Sequence, residues 1–96
     1  MAKIQIERKP TSPGEVLAEE FLKPMGLTQK KFADHIGVDI KVINRLINGK
    51  TNLSPELALK FAASFDTSAE FWLSFQYEID LYQARKNISQ LPSKIA

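Results

Sequence analysis

The residues best suited to bind a ligand lie in one short segment, residues 39–48. Arg45 and Lys41 can reach the acceptor atoms of guanine, and the amide of Asn44 can pair with adenine. Ile40, where exposed, can contact the methyl group of thymine. If these four residues share the exposed face of one helix, that helix can read bases in the major groove of double-stranded DNA.

A second set of polar residues flanks this segment and suits the sugar-phosphate backbone. Side-chain hydroxyl, amide and ammonium groups and helix N-terminal N–H groups commonly bind DNA phosphates. The candidates are Thr28, Gln29, Asn48, Lys50 and Thr51. Asp39 is expected to cap a helix and not to contact a base, because a carboxylate repels phosphate. The alternative for the whole segment is a solvated polar face without a ligand.

Two short helices joined by a tight turn would position these groups. Thr28 is a good N-cap for a first helix over residues 29–36. Gly37 can end that helix, because glycine tolerates the left-handed backbone of a tight stop. Asp39 then caps a second helix. The small side chain of Ala33 suits two helices that cross closely.

The apolar spacing of the second helix predicts which side faces the core. Ile43, Leu46 and Ile47 recur at i, i+3 and i+4, so we expect them to be buried. A small residue, a glycine turn and branched residues at these offsets are typical of a helix-turn-helix. The alternative is an inert pair of core helices.

Three further helices are predicted around this pair. Ser12 caps a first helix, which we expect Pro24 and Gly26 to end. A fourth helix is predicted over residues 55–65 and a long fifth helix over residues 69–86. The fold class is therefore all-α, a five-helix bundle with a helix-turn-helix and a long C-terminal helix.

The long fifth helix carries more apolar surface than one core face of a small domain should absorb. Its main large apolar side chains are Phe71, Trp72, Phe75, Ile79 and Tyr82. We therefore predict that part of this surface forms an interface between two copies of the chain, in a homodimer. The alternative is that the helix only covers the base of the bundle.

The length of 96 residues is enough for one domain. We predict that residues 12–87 form the DNA-binding domain, between an N-terminal arm of residues 1–11 and a C-terminal tail of residues 88–96. Within the arm, residues 3–6 alternate in polarity as in a short strand, but we favour a poorly ordered arm. Pro92 argues against a continued helix in the tail.

Composition excludes several classes of protein. The chain has no cysteine, which excludes disulfides and thiolate metal sites, and its only histidine, His35, has no second histidine or carboxylate cluster around it. No glycine-rich phosphate loop or nucleophile elbow occurs, so we expect neither an enzyme nor a cofactor. No segment approaches the roughly 20 apolar residues of a membrane helix. Residues 1–10 lack an apolar signal-peptide run, so a cytoplasmic location is expected.

The charge distribution is more informative than the formal net charge of +2. Residues 28–60 contain six lysines and arginines against three acids. Residues 13–27 contain three glutamates against one lysine, and residues 61–87 contain four acids against two bases. A basic middle therefore lies between two acidic flanks, and it is the basic middle that contains the predicted helix-turn-helix.

Three motifs in this chain resemble one known family. Residues 13–29, PGEVLAEEFLKPMGLTQ, resemble the opening of HigA-type antitoxins, also called VapI-like, within the XRE helix-turn-helix superfamily. Residues 43–45 and 49–50 match the recognition region of that family. Residues 68–76, SAEFWLSFQ, resemble its stretch SPEFWLNLQ, which is the specific motif because many phage-repressor-like domains lack it. The match covers roughly residues 12–86.

The resemblance implies a lambda-repressor-like five-helix bundle that forms a homodimer and has two roles. The first is to bind and silence a HigB-type toxin, a small basic RelE-like ribonuclease that cuts mRNA on the ribosome. The second is to repress the shared operon by binding a palindromic operator. Ala69 replaces the usual proline and Phe75 the usual leucine, and neither change alters the predicted helix.

The acidic flanks suit a basic toxin as well as the basic middle suits DNA. The candidate toxin contacts are Glu15, Glu19, Glu20, Glu70, Glu78 and Asp80, and the alternative for each is an ordinary solvated acid. Two other functions stay open from the sequence. One is a stand-alone XRE-type transcriptional repressor without a toxin partner, and the other is an adaptor bundle that does not bind DNA.

Overall fold

Five helices make up most of the computed structural model, which describes residues 2–3 and 8–95. The first, α1, spans residues 13–25 in three consecutive parts: α-helical Pro13–Val16, π-helical Leu17–Leu22 and α-helical Lys23–Met25. The other four are α2 (Gln29–Ile36), α3 (Ile40–Ile47), α4 (Pro55–Phe65) and α5 (Ala69–Asn87). This order confirms the predicted all-α, five-helix class, and α2 and α4 have the predicted bounds.

A side-chain cap defines the start of each helix. The capping residues have extended backbone, and a side-chain oxygen of each accepts an N–H of the first turn; they are Ser12, Thr28, Asp39, Ser54 and Ser68. Ser12 also forms a reciprocal capping box with Glu15. Each cap satisfies a donor that has no partner within the helix, which matters most for the short helices.

The middle of α1 is π-helical just before Pro24. In a regular helix the proline ring collides with the carbonyl four residues earlier, and proline has no N–H to donate. Here the N–H of Lys23 donates to the carbonyl of Ala18, five residues back, so a wider turn precedes the proline. The helix passes through Pro24 and ends at Gly26, which has a φ of 65°. The prediction that Gly26 ends the helix is therefore confirmed, and the prediction that Pro24 ends it is wrong.

The core lies where α1, α2, α3 and α4 meet the first half of α5. Its largest fully buried side chains are Trp72, Phe32, Phe61, Leu17, Ile43 and Leu46. The indole N–H of Trp72 donates to the hydroxyl of Thr67 at 2.7 Å, so the one polar atom of this side chain has a partner. The ring of Phe61 lies 5.1 Å from the indole, edge to face, and that of Phe21 lies 4.9 Å away.

Two backbones come into direct contact where α1 passes the end of α3. A Cβ atom on Gly14 would overlap the carbonyl group of Leu46 and lie 2.7 Å from the Cα of Ile47. Only glycine therefore allows this approach. The contact sets the N-terminal end of α1 against the helix that carries the predicted base contacts.

Residues near both ends of the chain form a short antiparallel ladder. Strand β1 (Ala2–Lys3) pairs with β2 (Gln90–Leu91), with Ala2 opposite Leu91. The favoured expectation of a poorly ordered arm therefore does not hold for Ala2 and Lys3, and the C-terminal tail, in which no helix is expected, supplies the partner strand. The expectation for residues 4–7 lies outside the described residues.

Replacing Gly14 with alanine tests the contact between α1 and α3. Helix propensity alone would make this change stabilising by up to about 1 kcal/mol. Because the new methyl group meets main-chain atoms, we expect instead a loss of about 1–3 kcal/mol in the free energy of unfolding, measured by chemical denaturation.

The control for this experiment is Gly37→Ala. A Cβ there has nothing within 4 Å, but φ is +74°, so only a backbone cost of about 1 kcal/mol is expected. A Gly14→Ala protein that is more stable than the wild type would contradict the close contact.

Candidate nucleic-acid interface

Three residues, Gly37, Val38 and Asp39, join α2 to α3. Gly37 is left-handed with a φ of 74°, and the N–H of Val38 donates to the carbonyl of Ala33 at 3.0 Å. The carboxylate of Asp39 accepts the N–H of Lys41 at 2.8 Å. The turn thus closes one helix and caps the next, and the predicted capping role of Asp39 is confirmed.

The inward face of α3 determines which side chains point outward. Ile43 has no exposed surface and Leu46 is 2% exposed, in the same core cluster as Phe32 and Ala33 of α2. Ile47 is half-buried and packs against that cluster. These positions confirm the predicted apolar side of α3, so its opposite side faces solvent.

Four polar side chains share the exposed side of α3 at i, i+3, i+4 and i+7: Lys41, Asn44, Arg45 and Asn48. The first three are predicted base contacts, and the structure brings them together on one face. Ile40, the fourth predicted base contact, is 38% exposed. Val42 is 39% exposed, although the sequence analysis gave it no role.

A chain of amide hydrogen bonds crosses this face. The Nδ2 of Asn44 donates to the Oε1 of Gln29 at 3.2 Å, and the Nδ2 of Asn48 donates to the Oδ1 of Asn44 at 3.2 Å. An amide nitrogen has two hydrogens and an amide oxygen has two lone pairs, so Asn44 keeps one free donor and one free acceptor. Those are the groups that pairing with adenine needs.

The basic groups at this face have no acidic partner in the part of the chain that the structure describes. Lys41, Arg45 and Lys50 form no ion pair within residues 8–95, whereas Lys30 is paired with Asp34 at 2.8 Å. A cation without an internal partner is free to neutralise a phosphate or to reach a base acceptor. The face therefore carries positive charge that is available to an anionic ligand.

The predicted phosphate ligands lie at two places around α3. Thr28 and Gln29 are at the start of α2, next to Asn44, while Asn48, Lys50 and Thr51 follow the end of α3. There the N–H of Lys50 donates to the carbonyl of Arg45 at 2.8 Å, which turns the chain sharply after the helix. Gln29 is half-buried and the other four residues are exposed.

Comparison with known proteins gives the family. The Helix-turn-helix family model matches residues 19–72. Antitoxin HigA-1 of Vibrio cholerae is 40% identical over 84 residues, which cover 88% of this chain and 79% of that protein. This chain belongs to the HigA-type branch of the helix-turn-helix family. The resemblance inferred from the three sequence motifs is confirmed.

Two further proteins are similar to this HigA-type chain, one in sequence and one in solved structure. YbaQ of Escherichia coli K12, an uncharacterized HTH-type transcriptional regulator, is 37% identical over 84 residues, covering 88% of this chain and 74% of YbaQ. The antitoxin HigA of Pseudomonas aeruginosa has been solved with the higBA promoter. It superposes with a TM-score of 0.78 at 31% identity, over 81% of this chain and 85% of that one.

One residue of the HigA-type chain outside the predicted sites, Gln76, holds the loop after α3. Gln76 of α5 is 7% exposed and is the only buried polar residue in the part of the chain that the structure describes. Its Oε1 accepts the N–H of Leu53 at 2.8 Å, and its Nε2 donates to Asp80 at 2.9 Å and to Asn52 at 3.3 Å. The available signal was its position, four residues after buried Trp72 on the same face of the helix.

Two other features are absent from the described residues. They contain no group of three or more histidine, cysteine, aspartate or glutamate side chains that could hold a metal ion, and His35 is exposed. Nor does any helix among them combine the length and the apolar character needed to cross a membrane.

Proposed function

We propose that this protein binds the operator of its own operon as a homodimer and neutralises a small basic toxin of HigB/RelE type. One observation carries the DNA-binding part: the exposed face of α3 presents Lys41, Asn44 and Arg45 together, with no acidic partner within residues 8–95. The related HigA of Pseudomonas aeruginosa was solved with promoter DNA, which supports the same class of target.

In this proposal α3 enters the major groove. Arg45 contacts guanine through its two-pronged guanidinium group, Lys41 contacts guanine acceptors, and Asn44 uses its free donor and acceptor on adenine. Ile40 contacts a thymine methyl group. The groups at the start of α2 and at the end of α3 bind phosphates on the two sides of the groove, which fixes the register of the helix.

The exposed apolar stripe of α5 supports the homodimer. Leu73, Tyr77 and Leu81 are four residues apart and therefore lie on one side of the helix; Tyr77 is 62% exposed and the two leucines are half-buried. Phe71 is 38% exposed, whereas Trp72 has no exposed surface and belongs to the core of one copy. A two-fold interface on this stripe would present two copies of α3 to half-sites roughly 34 Å apart.

The exposed acids support a basic protein partner. All six predicted toxin contacts are exposed, but Glu15, Glu19 and Asp80 already have partners in the capping box, on Lys23 and on Gln76. Within residues 8–95 the carboxylates of Glu20, Glu70 and Glu78 have none, so they are the best candidates. Such charges would steer a basic toxin to this protein and away from the basic DNA-binding face.

A stand-alone transcriptional repressor is the second candidate function. The observation that favours it is the similarity to YbaQ, named an uncharacterized HTH-type transcriptional regulator, which is 37% identical against 40% for HigA-1. Both functions need the same DNA-binding face. They differ only in the presence of a toxin partner.

Replacing Lys41 and Arg45 together with alanine tests the recognition helix. A single base contact contributes roughly 1–3 kcal/mol, so we expect the double change to weaken binding to the native promoter by at least about tenfold. Fluorescence anisotropy with a labelled duplex, at several salt concentrations, measures this.

The matched control is the pair Arg85→Ala and Lys86→Ala, which also removes one arginine and one lysine, but from the last turn of α5. This pair should bind nearly as the wild type does. Unaltered operator affinity in the α3 double variant would exclude α3 as the recognition helix.

Replacing Tyr77 with glutamate tests the dimer interface. A two-fold interface would bury two like charges without partners, so we expect light scattering to give the mass of a monomer. Leu59→Glu is the control, because Leu59 is a 63% exposed apolar residue of α4 and should leave the dimer intact. A Tyr77→Glu protein that remains dimeric would place the interface elsewhere.

Purification of the tagged protein from its native host, followed by intact-mass analysis, separates the two candidate functions. The antitoxin proposal predicts a stoichiometric, small and basic partner. Charge reversal of Glu20, Glu70 and Glu78 to lysine should release that partner, while Glu56→Lys on α4 should not. Operator binding without any such partner would favour the stand-alone repressor.

A further inference from the structure

The side chain of Gln76 connects α5 to the loop that follows the recognition helix. All its hydrogen-bonding atoms face protein groups: Oε1 accepts from the main chain of Leu53, and the two Nε2 hydrogens meet Asn52 and Asp80. Leu53 is itself 3% exposed, so this end of the loop is buried as well as hydrogen-bonded.

Asp80 determines which way the amide of Gln76 points. An ionised carboxylate can only accept hydrogen bonds, so it requires the Nε2 of Gln76 on its side. The Oε1 must then face the N–H of Leu53, which has no other hydrogen-bond partner of its own among the described residues. A flipped amide would leave two donors facing each other, so the orientation is fixed by chemistry.

The loop held in this way carries the predicted phosphate ligands. Lys50 and Thr51 stand between the end of α3, where the N–H of Lys50 bonds to Arg45, and the two residues that Gln76 holds. Their backbone is therefore fixed at both ends. Without the bond at Leu53, the buried Leu53 side chain would still hold this end, but the main chain that follows Lys50 and Thr51 would lose its hydrogen-bonded anchor.

We propose that Gln76 is a positioning residue for DNA binding: oriented by Asp80, it holds the loop between α3 and α4 so that Lys50 and Thr51 meet the phosphate backbone. This inference rests on the proposed operator binding. It adds a role for a residue that lies inside the protein and that we do not place in contact with DNA.

The test replaces the amide with an apolar side chain of similar length. Gln76→Met should weaken operator binding by about tenfold. The slope of the logarithm of the binding constant against the logarithm of the salt concentration should also fall, by the contribution of about one phosphate contact. Discrimination between operator variants at the bases read by α3 should stay unchanged, because the loop contacts only phosphates. Faster hydrogen exchange at the N–H of Leu53 should accompany the loss.

An exchange of donor and acceptor checks the chemistry. In the double variant Gln76→Glu with Asp80→Asn, a carboxylate can accept from Leu53 and from the new amide at position 80, and the amide of Asn52 turns so that its Nδ2 donates in place of its Oδ1 accepting. This pair should recover most of the lost affinity and of the salt dependence. Failure to recover either one would overturn the role assigned to Asp80.

A stability control separates positioning from general weakening of the fold. Trp72 lies one turn before Gln76 in α5. Trp72→Phe removes the bond from the indole N–H to Thr67 and leaves the amide of Gln76 in place. It should lower the melting temperature but keep operator affinity within about twofold at a temperature where the protein stays folded. An equal loss of affinity in Trp72→Phe would overturn the inference.

The wild-type titration separates a failure of the proposed operator binding from a failure of the positioning role of Gln76. If the wild type fails to bind its promoter DNA, the proposed function fails and this inference falls with it. If the wild type binds and Gln76→Met binds equally well, with the same salt dependence, only the positioning role is wrong.

Discussion

The burial of Ile43 and Leu46 fixes the orientation of α3, and every predicted DNA contact depends on it. α3 has eight residues, and an isolated helix below about 12–15 residues is marginal in water. Its direction therefore comes from two buried side chains, the left-handed turn at Gly37 and the cap at Asp39. Because the same eight residues supply both the buried face and the exposed face, a change on one side displaces the other.

Two groups of amide hydrogen bonds act on this scaffold in different ways. The bonds between Gln29, Asn44 and Asn48 lie at the surface, where water competes with them. They orient these side chains, and exchanging them for contacts with bases costs little free energy. The bonds of Gln76 are buried, and breaking one leaves a donor or acceptor without water. The surface group can therefore adapt to DNA while the buried group keeps the loop in place.

Most of the fold was predictable from local signals, and the parts that were not depend on distant contacts. The caps Thr28 and Ser54 and the apolar spacing gave α2 and α4 their bounds. The path through Pro24 depends on a π-helical turn, and the strand pairing joins residues near opposite ends of the chain. At the site, i, i+3 and i+4 spacing predicted the outward face of α3. The bond from Asn44 to Gln29 and the bonds from Gln76 to the loop depend on how separate parts of the chain pack, which spacing within one helix cannot show.

Three of these features lie within six consecutive residues of α5. Trp72 fills the core, Gln76 holds the loop after α3, and Tyr77 belongs to the exposed stripe proposed as the dimer interface. Because Gln76 and this stripe belong to the same helix, a partner that shifts or steadies α5 would act on the loop through the bonds of Gln76. If the dimer forms on that stripe, dimer formation and DNA binding are coupled. Thermodynamic linkage then requires operator DNA to strengthen the dimer by the same factor as the dimer strengthens operator binding.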